Sequence, residues 1–469
     1  MLSISLVIQK ILSFVYFSYL ATRLGVEQTG LYFFALSFIT MLAVFVDLGM
    51  NNTLIKQVAK EPQQTNRYFS QSVLIRLGLG VLMYLVLIAL SFGLGYELLT
   101  RQALYLAGLI MIVDSFTLMF YSFWRAHHNT IYEAIGNILF QASLLIAGGV
   151  VLYLTGNLLL ALLALLLASL INFSFALTRL VTKLKIKLTW VWDKAFAKTL
   201  LLMAMPFAWA GIFSRFYGYL DTFLLKTMVG DMALGYYSLP YKITFVWQFI
   251  PLALVASLYP AFTTYYQTDK TKLANLFNKT FIYLLVVAVP LSLGLSLLAK
   301  PIFLNIYGIE YLPSAYALQI LVFTLPFLFL NFPIGYLLNA CDKQVRNTIN
   351  IFIVMLISLA GNLIFIPKFS FVGASYVSVF TTLVLFVLGL SVARKLVQIN
   401  WRSLGINLLK LIVCSAGLVG VIMVLGDQTH YLLTILSSGL IYIMLVLLTK
   451  LVSWEEITGL VKAFRSNNQ

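Results

Sequence analysis

Fourteen stretches of mostly apolar residues run the length of this chain, separated by short loops. They fall at roughly 2–22, 31–50, 70–94, 103–123, 134–154, 157–178, 199–225, 234–260, 280–299, 314–338, 348–367, 371–393, 405–425 and 431–449. About 20 residues at ~1.5 Å each match the hydrocarbon core of a bilayer, so each stretch reads as a transmembrane helix. Inside a membrane the backbone must satisfy its own polar groups, which leaves helices or closed barrels. The ten-residue alternation of barrel strands is missing. The predicted fold is therefore an all-α polytopic membrane protein of about 14 transmembrane helices. The opening MLSISLVIQKILSFVYFSYL lacks a basic leader and a small-residue cleavage site, and reads as a retained first helix rather than a signal peptide.

Of the 469 residues, 61% are hydrophobic and 10% charged. Soluble proteins carry about 25% charged residues, so an ordinary soluble enzyme is excluded. The net charge of +16, from 31 Lys and Arg against 15 Asp and Glu, would suggest nucleic acid in a soluble chain. Here its placement argues otherwise. With both termini cytoplasmic, the outer loops hold five basic residues (Arg23, Arg101, Lys226, Lys300, Lys368) and the spans hold five more (Lys10, Arg76, Arg215, Lys242, Lys410). The other 21 of the 31 lie in inner loops and the tail, the bias of the positive-inside rule. Most of the excess charge thus describes orientation, and no nucleic-acid partner is expected. Cys341 and Cys414 make no disulfide framework, and the adjacent His127 and His128 read as a solvated loop rather than a metal site.

The chain repeats itself. Gly25-Val26-Glu27-Gln28-Thr29-Gly30-Leu31-Tyr32 follows the first helix, and Gly230-Asp231-Met232-Ala233-Leu234-Gly235-Tyr236-Tyr237 follows the seventh, both G-x4-G-x-Y at an offset of 205. Each reads as a tight turn in which glycine permits positive φ and close helix approach. Phe123-Trp124-Arg125-Ala126, after helix four, lies opposite Leu337-Leu338-Asn339-Ala340, after helix ten, at an offset of 214. Extra residues around Pro301–Pro313 would account for the longer offset. Six helices per repeat predicts two lobes of the same orientation, related by an axis along the membrane normal. The expected divisions are an N-terminal lobe (1–178), a basic cytoplasmic linker (179–198), a second lobe (199–393), helices thirteen and fourteen (394–449) and a cytoplasmic tail (450–469).

With Asp47-Leu48-Gly49-Met50 closing helix two, this pattern resembles the bacterial polysaccharide flippases of the multidrug/oligosaccharidyl-lipid/polysaccharide exporter superfamily. The resemblance implies two pseudo-symmetric six-helix lobes around a central cavity, plus two extra C-terminal helices. It implies alternating access in a bacterial inner membrane, and passage of an undecaprenyl-diphosphate-linked oligosaccharide to the outer leaflet. Other polysaccharide-assembly proteins are implied as partners; no cofactor is.

Among the charges within spans, Lys10 and Arg215 are informative because they too are 205 residues apart. Both fall on the order of 16–20 Å below their outer helix ends, where a cation costs roughly 2.5–3.5 kcal/mol unless it meets water or a partner. With Lys242 they are expected to form a cationic lumen for the diphosphate or acidic sugars, guanidinium gripping phosphate in a bidentate manner. Asp47, Asp114 and Asp221 are candidates for cation coupling or, ahead of that, for ion pairing. Arg76 and Lys410 read as snorkelling anchors. Gly25, Gly30, Gly230 and Gly235 are candidate gate glycines.

Proline recurs at 206, 240, 251, 260, 290, 326 and 333, suggesting kinks that line a moving cavity or static bends. Tyr217, Tyr219, Tyr236, Tyr237, Tyr241 and Trp247 suggest an interfacial belt, some of it able to stack on sugars. A multidrug or metabolite exporter and a peptidoglycan-precursor flippase of the same superfamily are the nearest alternatives. A membrane-bound polysaccharide polymerase or ligase is disfavoured, since every outer loop is short and paired acids or a nucleophile with its base are missing. The chain therefore reads as a transporter, not an enzyme.

Overall fold

A computed structural model describes residues 2–426 and 430–452. Among these the regular structure is helical: α1 (Leu2–Asp47), α2 (Met50–Lys60), α3 (Thr65–Gly93), α4 (Leu98–Ala126), α5 (Ile131–Thr155), α6 (Leu158–Lys183), α7 (Lys194–Met228), α8 (Asp231–Phe245), α9 (Phe249–Thr268), α10 (Lys270–Leu297), α11 (Ala299–Ile306), α12 (Leu312–Leu321), α13 (Thr324–Ala340), α14 (Gln344–Ala393), α15 (Trp401–Leu425) and α16 (Tyr431–Leu448). Eleven helical stretches are long and apolar enough to cross a membrane, and α12 with α13 makes a twelfth, bent by 47°.

Two of those stretches are each twice too long for one crossing. At ~1.5 Å per residue the 46 residues of α1 would reach about 70 Å, against a core of ~30 Å. The helix turns back at Gly25 (φ 76°), and the 50-residue α14 does so at Ser370 (φ 52°). Counting each as two crossings recovers fourteen, at the expected places. Two helices were not legible as spans. Helix α2 is short and amphipathic, with Met50, Thr53, Leu54 and Val58 buried, and α11 occupies the proline-flanked insertion between helices nine and ten.

Of the seven prolines singled out above, Pro206, Pro240, Pro260, Pro290 and Pro333 lie inside unbroken helices. Pro251 and Pro326 instead each stand third in a new helix, after breaks at Val246–Gln248 and Val322–Phe323. In a first turn proline forfeits no helical hydrogen bond, so these two help to start helices.

The second repeat is exact in backbone detail. Helix α4 ends at Ala126 and α13 at Ala340, each followed by a left-handed residue, His128 (φ 57°) and Asp342 (φ 56°). Asn129 N donates to the Trp124 carbonyl (3.0 Å) as Lys343 N donates to that of Leu338 (2.7 Å), every atom displaced by 214 residues. His127 Nδ1 lies 2.8 Å from the Phe123 carbonyl, so this histidine serves the helix end.

Two compact units divide the chain, Met1–Ser238 and Leu239–Gln469. In the first, one apolar cluster joins Met50 and Leu54 of α2, Phe69 of α3, Phe123 of α4, Leu180 of α6 and Leu200 of α7. In the second, α15 and α16 pack on α10 and α11 through Leu411, Leu418 and Tyr442, whose hydroxyl donates to the Val286 carbonyl (2.7 Å).

The segment between α6 and α7 is an ordered strap. Lys187 N donates to Asn66 Oδ1 (3.0 Å), Thr189 N to Ser70 Oγ (2.9 Å), and Gln71 Nε2 to the Val191 carbonyl (2.6 Å). Asp193 closes it, accepting from the Phe196 amide as N-cap of α7 and from Arg67 Nη2 at 2.6 Å. The Arg67 hydrogen bond, then the Phe196 amide, hold the Asp193 carboxyl below the usual carboxylate range. A carboxyl lowered on folding stabilises the folded state above its unfolded value, about 3.9, and that contribution is lost as pH falls through the folded value. Asp193→Asn is therefore expected to speed hydrogen exchange at Lys187 and Thr189 at pH 7. At pH 3 the gap from wild type narrows; equal exchange at both pH values would show that the carboxylate does not hold the strap.

Candidate functional site

The four glycines of the doubled turn divide their work. Gly25 and Gly230 (φ 76° and 113°) have open space where a Cβ would stand, and supply positive φ. Gly30 and Gly235 supply close approach, each to the other's turn. A Cβ on Gly30 would stand 2.2 Å from the Asp231 carbonyl oxygen, and one on Gly235 would stand 2.0 Å from that of Val26. Val26 and Asp231 are themselves 205 apart. The contact is therefore reciprocal, as across a two-fold axis, and the repeat read from sequence meets itself here.

Beside this contact Lys226, only 11% exposed in its side chain, pairs with Asp231 and lies over the rings of Phe34 and Tyr96 at 5.8 and 5.7 Å. Sequence reasoning placed Lys226 in an outer loop. The missed signal is the acid five residues on, which the Gly230 turn folds back onto the lysine.

Within the membrane, Lys10 of α1 and Arg215 of α7 stand 15 residues before Gly25 and Gly230 respectively. Both side chains are exposed, and they lie near enough for their charges to repel. Arg215 also engages the Tyr219 hydroxyl one turn along. Among the described residues neither cation forms an ion pair with a carboxylate. Lys242, on α8, falls in the second compact unit and is half-buried.

The acids have other company. Asp221 is buried, accepting hydrogen bonds from the Tyr237 hydroxyl and from the Thr222 amide (2.7 Å). Tyr237 is fully buried, so it does not belong to an interfacial belt. Asp114, half-buried on α4, lies beside Ser169 of α6. Asp47 accepts from Arg76 Nη2 at 2.6 Å and from the Asn51 amide at 3.2 Å.

Arg76 is not a snorkelling anchor. It has no exposed surface, its Nη1 donates to the Ser115 carbonyl, and its Nη2 also reaches Asn51 Oδ1 (3.1 Å). A membrane-depth arginine next to a motif aspartate can be satisfied inward as easily as outward, and hydropathy does not distinguish the two. The pair fixes the elbow between α1 and α2, where Leu48 and Gly49 are left-handed (φ 44° and 75°). A Cβ on Gly49 would stand 2.6 Å from the Ala208 amide of α7, so this elbow is also a place of close backbone approach.

The second unit holds an apolar groove of about 730 Å³, lined by α10, α11, α15 and α16 through residues such as Val287, Leu291, Ile302, Leu418, Tyr442 and Ile443.

The chain resembles known membrane transporters along most of its length. The lipid II flippase MurJ in an inward closed conformation superposes with a TM-score of 0.78, covering 95% of this chain and 97% of that one at 18% identity. An inward-facing multidrug resistance MATE family transporter of the MOP superfamily gives 0.69, covering 83% and 95% at 14% identity. These matches show the fold. In sequence, the probable low-salt glycan biosynthesis flippase Agl15 of Haloferax volcanii is 21% identical over 368 residues, 78% of this chain and 76% of that protein. An uncharacterized membrane protein of Methanocaldococcus jannaschii is 27% identical over 184 residues, 39% of this chain and only 36% of its own length. Residues 1–266 match the family model described as polysaccharide biosynthesis protein, more than half of the sequence, and the chain belongs to that family.

Proposed function

We propose that this protein is a flippase, carrying an undecaprenyl-diphosphate-linked oligosaccharide from the cytoplasmic to the outer leaflet of a bacterial inner membrane by alternating access. The observation that carries this reading is the pair of like charges, Lys10 and Arg215, exposed at equivalent repeat positions with no carboxylate paired to either among the described residues. Two basic side chains at equivalent repeat positions with no carboxylate beside them suit an anion, and a diphosphate supplies the matching negative charge. The apolar groove of the second unit suits a hydrocarbon chain, which water would reject. The family and Agl15 support a glycan cargo. Lys242 is a further candidate for anion binding in its own unit, and Asp221 is held by the Tyr237 hydroxyl rather than by a cation. In this orientation both termini are cytoplasmic and the Gly30–Gly235 contact closes the outer side.

The MATE and MurJ folds favour a second reading, export of a drug or flipping of a peptidoglycan precursor. A knockout separates the readings. A lipid-linked glycan trapped on the cytoplasmic leaflet supports the first, whereas trapped lipid II or sensitivity to cationic dyes supports the second. Lys10→Ala and Arg215→Ala are each expected to lower transport at least tenfold, since losing one charge-assisted phosphate contact costs about 1.5–3 kcal/mol. If both variants transport normally at wild-type protein levels, the anion site is wrong.

A further inference from the structure

The strap between α6 and α7 carries a feature that the proposed anion site does not use. Trp190, Val191 and Trp192 are 70%, 67% and 55% exposed, on a segment held in place by hydrogen bonds to Asn66, Ser70 and Gln71. The Thr189 hydroxyl donates to Ser70 Oγ (3.0 Å), and Trp190 and Trp192 both stay on the solvent-exposed side of the segment. Lys183, Lys185, Lys187, Lys194 and Lys198 flank them in sequence, all exposed. Ile186 alone is buried, plugged into the apolar cluster beneath. A solvated linker has no reason to hold two indoles rigidly in water.

We propose that this strap is a membrane-interface anchor that binds anionic phospholipid headgroups on the basic-loop side, with Lys185 and Lys187 on the phosphates and Trp190 and Trp192 at headgroup depth. Indole rings with an apolar body and one N–H donor favour that depth. The lysines add attraction to an anionic surface, which the strap presents without first having to be ordered. Because α7 carries Arg215 and is capped by Asp193, the anchor also holds the root of that helix at the surface.

The full chain reconstituted in phosphatidylcholine vesicles, with and without phosphatidylglycerol, tests this. The emission difference between wild type and Trp190→Phe/Trp192→Phe isolates the two indoles. Shallow brominated lipids are expected to quench that difference, more strongly when phosphatidylglycerol is present, and aqueous iodide to quench it little. In detergent, Lys185→Gln/Lys187→Gln is expected to weaken phosphatidylglycerol binding about fivefold per lysine, with thermal melting unchanged. Equal quenching in both vesicles, or titration of the lysine variant like wild type, would overturn the charge-based anchor. Quenching by iodide and not by bromolipid would assign the strap to a cytosolic protein partner instead.

Discussion

Gly30→Ala is expected to abolish most transport while leaving the protein in the membrane at normal levels. The added methyl group would stand 2.2 Å from the Asp231 carbonyl oxygen and 2.6 Å from the Gly235 amide. Both are backbone atoms inside helical turns, so neither can swing aside as a side chain would. The two turns must separate instead. Overpacking of this kind costs roughly 1–3 kcal/mol, equivalent to about a 5- to 150-fold shift against the state that holds the contact. Gly235→Ala meets the Val26 carbonyl oxygen and should act alike. One separation relieves both clashes, so the double variant should fall well short of the summed effects. Gly25→Ala is the control, because its Cβ has open space and only its φ of 76° is strained, at a cost of about 1 kcal/mol. Labelling of cysteines near the turn, together with transport in vesicles, measures the shift. Wild-type transport by both Gly30→Ala and Gly235→Ala would remove this contact from the cycle.

Asp47→Ala should be strongly destabilising. It leaves the Arg76 guanidinium, with no exposed surface, without its counter-charge. Breaking a buried pair from one side costs about 3–5 kcal/mol, and the lower end applies because the Asp47 side chain is 27% exposed. Thermal melting in detergent should fall clearly. The double variant Asp47→Leu/Arg76→Met should recover much of the loss, since an apolar pair of similar volume leaves no stranded charge. A variant with Asp47→Ala that melts like wild type would show that water reaches Arg76 after all.

The sequence by itself determined the fold class, because a bilayer core requires about 20 or more consecutive apolar residues per helical crossing, and runs of that length are visible in any reading. It also determined the repeat. The Gly25/Gly230 and Lys10/Arg215 pairs share an offset of 205 and the α4/α13 helix ends stand 214 apart, and such spacings survive wherever backbone geometry must be duplicated. Partnership was left to the tertiary structure. Arg76 and Lys410 are indistinguishable by depth, yet Arg76 is wholly buried against Asp47. Lys226 looked like loop charge and is an internal ion pair. Asp221 faces a tyrosine hydroxyl that pattern alone assigned to the membrane surface. The linker's lysines announced a basic segment, but only its hydrogen bonds to α3 made it a rigid one. Periodicity records which residues avoid water. It does not record which side chain another helix brings within 3 Å, because that depends on rotation and crossing of elements far apart in the chain.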